Sequence, residues 1–354
     1  MFRERTLFKA GVGAYAAYRI PSLLTTDSGT ILAFCEGRRH SVSDAGDIDI
    51  LMTRSLDSGV TWEQPRVIVS GKGNTVSNPC PVQDRSTGRI FLHLNWNQGE
   101  GGEGLILEGK APRRVLLTTS DDEGENWSAP EDLTHQLKGE DWTWYANGPG
   151  HGIQLSSGRL VIPCNHAVLQ PQKGESGPYQ SHVVYSDDHG KTWKLGGILD
   201  AYTNECQVVE LADGSVHINM RSYHGKNCRA IANSHDGGLT WSAVELDPVL
   251  VDPVCQASIL RYSLESDGGK SRILFANAAS AMREKLTVRI SYDECQTWNG
   301  GKCLYSGPSA YSDLAKASDG TILCFYERGE EGPYEELRLA QFSLDWLTDD
   351  TDRL

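Results

Sequence analysis

The sequence predicts an all-β protein, a six-bladed β-propeller of four-stranded antiparallel blades. Three observations carry this expectation: a Ser-Asp-Gly-Thr-Trp pattern recurs five times, an apolar hairpin pattern recurs six times between its copies, and helical periodicity is nearly absent. The first pattern is plain in YSDDHGKTW, from Tyr185 to Trp193. It returns as RSLDSGVTW ending at Trp62, TSDDEGENW at Trp127, NSHDGGLTW at Trp241 and SYDECQTW at Trp298. Steps of 65, 66, 48 and 57 residues between these tryptophans suit propeller blades with loop insertions.

The hairpins follow in order: IPSLLTTDSGTILAF, CPVQDRSTGRIFLHL, GIQLSSGRLVIP, CQVVELADGSVHINM, ASILRYSLESDGGKSRILFA and DLAKASDGTILCFY. Each sets two short apolar runs around Ser-Gly, Thr-Gly or Asp-Gly, the chemistry of a tight turn. Between hairpins, the Trp pattern reads as a folding clasp. Asp and Ser bond nearby backbone, Gly supplies a positive φ, and Trp buries a large ring. Asp57, Asp122, Asp188, Asp236 and Asp293 are therefore structural. The fifth copy has Cys295 in place of Gly, so a strained or reshaped turn is expected there. LRLAQFSLDWLTDD looks like a degenerate sixth copy, and the N-terminal RERTLFKAG is expected to supply the missing outer strand and close the ring. With no linker or low-complexity tract, residues 1–354 read as one domain.

Composition narrows function. The 39% hydrophobic and 23% charged content is that of a globular chain, and a net charge of −14 argues against a nucleic-acid partner. An anionic ligand must then be caught by a local group of arginines. No apolar run approaches the roughly 18 residues of a membrane span. The N-terminal stretch shows no secretory leader, so the chain as it stands reads as cytoplasmic, or as secreted or periplasmic if a leader has been removed. The nine cysteines lie partly in apolar runs such as LAFCEG and ILCFYER and read as reduced core residues. His40, His151 and His166 fall in separate segments, so no metal or other cofactor is expected.

In antiparallel hairpins the start of the first strand and the end of the second share one end. Those positions hold Arg19, Glu36, Arg38 and Asp44 in the first unit, Glu205 and Arg221 in the fourth, Arg283 in the fifth, and Tyr311 and Glu327 in the sixth. Such a convergence of arginines in an acidic protein asks for a resident anion or carboxylate partners.

The repeated Asp-box, YRIPSLL, EGRRHSVSDAGD, NECQVVE, MRSY and SAYSDL resemble the exo-α-sialidase (neuraminidase) family of bacterial and animal type over nearly the whole chain. The Asp-box alone is shared by many propellers; RIP together with the Glu and Tyr contexts is specific. The resemblance implies that Arg19, Arg221 and Arg283 clamp a substrate carboxylate and that Glu327 orients the first of them. It makes Tyr311 the nucleophile, Glu205 its partner base and Asp44 the general acid and base. Asp47 and Asp49 share the last residue's loop. Arg38, rather than Arg39, is favoured for an accessory contact, with Arg39 left to solvent. Glu36, Asn78, His151, Asn165, His166 and Gln256 are further expected to line the mouth.

The implied function is retaining hydrolysis of terminal α-linked sialic acids on oligosaccharides, glycoproteins or glycolipids through a tyrosyl-enzyme intermediate. Its rivals are a trans-sialidase, a hydrolase of a related 2-keto sugar acid, and a non-catalytic sialic-acid-binding propeller.

Overall fold

The computed structural model describes residues 1–170, 175–267 and 269–353. Among these residues the fold is all-β, and the strands form successive antiparallel groups. The first joins Ala17–Thr25, Ile31–Arg38, Ile48–Ser55 and Arg66–Val69. The second joins Thr75–Gln83, Ile90–Asn97, Arg113–Ser120 and Glu131–Asp132. In the third, Trp142–Asn147 and Ile153–Gln154 form one interrupted strand beside Leu160–Gln170, followed by Gln180–Ser186 and Lys194–Ala201. Thr203–Glu210, Val216–Ser222, Cys228–Ser234 and Glu245–Val251 make the fourth.

The long strand Lys302–Lys316 serves two groups. Its first half pairs with Glu284–Ser291, beside Arg272–Ala278 and Ser258–Ser263; its second half pairs with Ile322–Arg328, beside Glu336–Phe342. Phe2–Lys9 completes this last sheet by pairing with Glu336–Phe342, so the two ends of the chain are held together.

Turn chemistry explains the hairpins. Gly29, Gly88, Gly158, Gly214 and Gly320 all take φ between 76° and 93°, where a side chain is strained. The equivalent turn of the fifth hairpin includes Gly268, outside the described residues. In the Trp motif at Asp57, the Ser55 hydroxyl donates to Asp57 Oδ1 (2.9 Å) and accepts from Gly59 N (2.8 Å). Asp57 also accepts from the backbone and hydroxyl of Thr61 at 2.8 and 2.7 Å. These bonds hold its carboxyl down at about 2. Cys295 keeps the same turn: its N donates to Ser291 Oγ at 2.9 Å with φ of 67°. Of the two expected outcomes the turn is strained and not reshaped, with a non-glycine residue in the left-handed conformation. At the degenerate sixth copy, Ser343 instead caps the short helix Leu344–Leu347 and accepts from the N-terminal amine at 2.8 Å.

The core lies between groups. Alternate residues of one strand face different neighbours: Ala33 and Cys35 pack with Phe8 and Phe325, whereas Leu32 and Phe34 pack with Ile90 and Leu92. Similar clusters join each later group to the next, and the first cluster joins the last group back to the first. Burial on both faces is why these strands read as unbroken apolar runs rather than alternating ones. All nine cysteines are unbridged, and eight are buried. No helix is long and apolar enough to cross a membrane among the described residues.

Candidate active site

Every group departs from regular strand geometry where its first strand reaches the shared mouth. Pairing register shifts between Arg19 and Ser22, Ser77 and Cys80, Thr203 and Cys206, and Ser309 and Ser312. The third group is interrupted after Asn147, and in the fifth Val254 takes φ of 58° before Ser258–Ser263 begins. A bulge bends its strand and re-aims the side chain it carries. Ile20 and Asn78, both with positive φ and both followed by proline, mark two of these bulges.

The re-aimed side chains enclose a cavity of about 330 Å³, with contributions from all six groups. Tyr311, buried at its floor, donates its phenol proton to Glu205 Oε1 at 2.5 Å. Arg221 Nη1 donates to Glu205 Oε2 at 2.8 Å and to the Tyr311 oxygen at 3.2 Å. Burial and the Glu205 charge push the phenol well above its ordinary pKa, while Arg221 pulls the other way. The resting nucleophile candidate is thus a neutral phenol, hydrogen-bonded to a base.

Glu327, with no solvent exposure, ties Arg19 to the backbone of this tyrosine. It accepts from Arg19 Nε at 2.6 Å, Ile20 N at 3.0 Å and Tyr311 N at 3.1 Å. Burial would loosen the Arg19 proton, but the Glu327 charge more than offsets this. The Arg19 guanidinium stacks 3.8 Å from the Tyr334 ring centroid and lies 5.4 Å from that of Tyr311. Arg283 donates to Tyr334 Oη at 2.5 Å and sits 5.5 Å from the Tyr311 centroid. Three guanidinium groups therefore surround one phenol, with two carboxylates behind them.

Across the cavity Arg38 is held by Glu36 (2.7 Å) and pairs with Asp44 at 2.6 Å. Arg19 Nη1 lies 3.9 Å from the same Asp44 oxygen. The Asp44 side chain is 71% exposed. Its crowded setting raises its pKa, and the charges of Arg38 and Arg19 reverse this and hold it below the ordinary value. Asp47 and Asp49 do not line the cavity. They pair instead with Arg39, which is thus bound to carboxylates beside the Tyr15 ring rather than left to solvent.

Three expected lining residues are placed elsewhere. His151 follows the interruption at 148–150, so it lies deeper than a residue at the strand start and bonds Asp313. His166 alternates with Asn165: Asn165 faces the cavity, while His166 stacks on Trp142 at 3.6 Å and meets His182. Gln256 is buried beneath the floor, where it brackets the Ser312 backbone. Asn78 does line the cavity, and its amide N donates to Glu36 Oε1 at 2.9 Å.

Sequence reading missed Arg113, Glu103, Trp144, Asn204, Tyr223 and Tyr334, all in the cavity wall. Arg113 and Tyr334 have a legible signal. A third strand begins at the mouth where the second ends, so the connection between them reaches the mouth just as the hairpin ends do. Arg113 is buried, donates to Asn97 Oδ1 (2.5 Å), Asn78 Oδ1 (3.0 Å) and Tyr145 O (3.0 Å), and lies 4.4 Å from the Trp144 ring. Burial lowers it to about 10, against the pull of Glu36, Glu103 and Asp44, so it stays charged at neutral pH. No group of three or more His, Cys, Asp or Glu residues could hold a metal ion among the described residues.

Residues 29–324 match the family model described as a BNR repeat-like domain. Against the exo-alpha-sialidase of Aspergillus fumigatus the chain is 32% identical, over 95% of its own length and 86% of the relative. The chain belongs to the sialidase family. It is also 34% identical to the sialidase of Micromonospora viridifaciens over 98% of its length, although it spans only 54% of that protein. Among solved structures, the Hadza microbial sialidase Hz136 superposes with a TM-score of 0.87 at 30% identity, covering 97% of this chain and 69% of that one.

Proposed function

We propose that the chain is an exo-α-sialidase that releases terminal α-ketosidically linked sialic acids from oligosaccharides, glycoproteins or glycolipids, built as a six-bladed β-propeller. The Tyr311 phenol held on Glu205 beneath Arg19, Arg221 and Arg283 carries this reading. Three planar, permanently charged forks suit a carboxylate, and they neutralise it beside the reacting carbon. A negative nucleophile would be repelled by that carboxylate; a neutral phenol is not, consistent with sialidases being an exception to the two-carboxylate glycosidase pattern.

In the proposed reaction the phenol oxygen attacks the anomeric carbon as Glu205 takes its proton. Asp44 protonates the departing glycosidic oxygen. In the second step Asp44, now a carboxylate, removes a proton from water attacking the same carbon, while Tyr311 leaves and regains its proton from Glu205. Two inversions give net retention. Asp44 starts ionised because Arg38 and Arg19 hold it so. A substrate carboxylate arriving on Arg19 offsets one of those charges and raises the Asp44 pKa, priming the acid when substrate is bound.

The test is fluorophore release from 4-methylumbelliferyl α-sialoside across pH 4 to 8 by wild type, Tyr311→Phe and Asp44→Ala, with NMR of the first-formed sugar anomer. Expected are turnover by wild type that rises toward acid pH, its loss in Tyr311→Phe, and α-sialic acid as first product. The β-anomer appearing first would refute the tyrosyl intermediate. Folded wild type that binds sialic acid without turnover would refute the enzyme in favour of a binding propeller.

A further inference from the structure

His151 and Gln256, which do not reach the cavity, lead to a different feature. The strand segment from Tyr311 to Leu314 pairs with Ile322–Arg328 on one edge only, so its other backbone groups need partners of another kind. Side chains supply them. Gln256 accepts from Ser312 N (3.0 Å) and donates to Ser312 O (2.9 Å), and Ser258 Oγ accepts from Leu314 N (2.8 Å).

Beneath them lies the Asp313 carboxylate, with no solvent exposure. It accepts from Leu23 N at 2.8 Å, His151 Nδ1 at 2.8 Å, Ser258 Oγ at 3.1 Å and Gln207 Nε2 at 3.4 Å. One carboxylate on the Tyr311 strand thus gathers donors from the first, third, fifth and fourth strand groups. Gln207 and Gln256 are cross-tied, since both donate to Pro149 O at 3.3 and 3.2 Å. Space there is tight: a Cβ on Gly150 would meet Gln207 Nε2 at 1.6 Å. His151 also borders a second cavity of about 450 Å³, walled by Val82, Val208 and Ile259. The pair therefore sits between that space and the Tyr311 floor. Burial disfavours a charged imidazole, but the adjacent Asp313 prevails and raises the His151 pKa.

We propose that the buried His151–Asp313 pair is a positioning device that fixes the height and direction of Tyr311 by drawing four strand groups onto one carboxylate. This rests on the proposed role of Tyr311 as nucleophile. Neither residue touches substrate. Asp313 is two residues from Tyr311 in a segment whose N–H groups at 311, 312 and 314 are each held by a side chain. A shift of the carboxylate therefore moves the phenol against its arginine surround. Misplacement by about 1 Å can cost roughly 100-fold in rate.

The test compares wild type with His151→Gln, which keeps a donor and removes the imidazole. Ser258→Ala is a milder second variant should the first fail to fold. Tyr262→Phe is a control that removes a part-buried bond to Gly320 O (2.8 Å) away from the cavity. Hydrogen exchange is followed by mass spectrometry on peptides spanning Lys302–Lys316 and Ile90–Asn97, with kcat and KM measured on the fluorogenic sialoside.

In His151→Gln, exchange is expected to quicken about tenfold in the first peptide only, and kcat to fall about 100-fold with KM within about threefold. Tyr262→Phe should leave kcat unchanged. Unaltered exchange at Tyr311, or quicker exchange with unaltered kcat, overturns the proposal. So does a kcat loss equalled by the control. If wild type itself fails to turn over the sialoside, the proposed function is at fault, and the exchange comparison still decides whether the pair holds the strand.

Discussion

His93 should make the fold lose stability in acid, by an amount that one substitution can isolate. Its ring lies on the second strand of the second group with no solvent exposure, edge-on to Trp193 at 4.3 Å, and neither nitrogen has a protein partner. Burial pushes its pKa down to about 3. An unfolded histidine titrates near 6.5, so below that pH the unfolded chain takes up a proton that the folded chain refuses. The stability contribution is complete above pH 6.5 and is lost as pH falls toward 3, at about 1.4 kcal/mol per pH unit for one proton. At pH 5 the loss is about 2 kcal/mol.

His166, stacked on Trp142 and also held at about 3 by burial, adds a similar amount. Together they reach about 4 kcal/mol, a large share of a usual stability of about 5–15 kcal/mol. His182 and His217 shift the same way by burial, whereas His151, raised by Asp313, opposes them. Urea unfolding of wild type and His93→Phe at pH 7.5, 6, 5 and 4 measures the effect. The variant should lose stability less steeply below pH 6.5, by about one proton's worth or 1.4 kcal/mol per unit. Equal slopes in the two proteins would refute the reasoning and mean that His93 accepts a proton in the folded state. Under the proposed mechanism acid favours protonated Asp44, and these buried rings would bound how far down in pH that advantage extends.

Asp188→Ala removes the bonds to Ser186 and Thr192 in a motif remote from the cavity. It should cost about 1–2 kcal/mol in urea unfolding and leave kcat and KM unchanged; altered turnover would count against a purely structural motif. Arg283→Lys exchanges a planar fork for a point charge. It should weaken binding of free sialic acid, read by calorimetry, by about 10- to 100-fold, and unchanged affinity would remove Arg283 from the clamp. Glu327→Gln leaves the Arg19 guanidinium buried with only the more distant Asp44 as a charge partner. About 3–5 kcal/mol of stability should be lost in urea unfolding, and a loss under 1 kcal/mol would show that the pair is hydrated.

The hairpins were legible because their cause is local. A glycine at positive φ, an Asp that bonds its own turn and a Trp that covers it need only a few consecutive residues. The mouth residues were legible for a related reason, since antiparallel strands bring the start of one and the end of the next to the same level. Arg19, Arg38, Asp44, Glu205, Arg221, Arg283 and Tyr311 all occupy such positions in the cavity wall. Proline after Ile20 and Asn78 even hinted at the bulges that aim the neighbouring side chains.

What lay beyond the sequence was direction and partnership. His151 looked like a mouth residue until the interruption at 148–150 set it deeper, and strand alternation turned His166 away while Asn165 faced in. Arg283 meets Tyr334 across 51 residues, and Glu327 meets Arg19 across 308. The repeated pattern by itself determined the all-β strand groups, because turn and packing preferences act over neighbouring residues. Only tertiary structure decided which arginine holds which carboxylate and which histidine lies behind Tyr311. Those choices depend on bulges, on strand faces and on groups that meet only when the last sheet packs against the first.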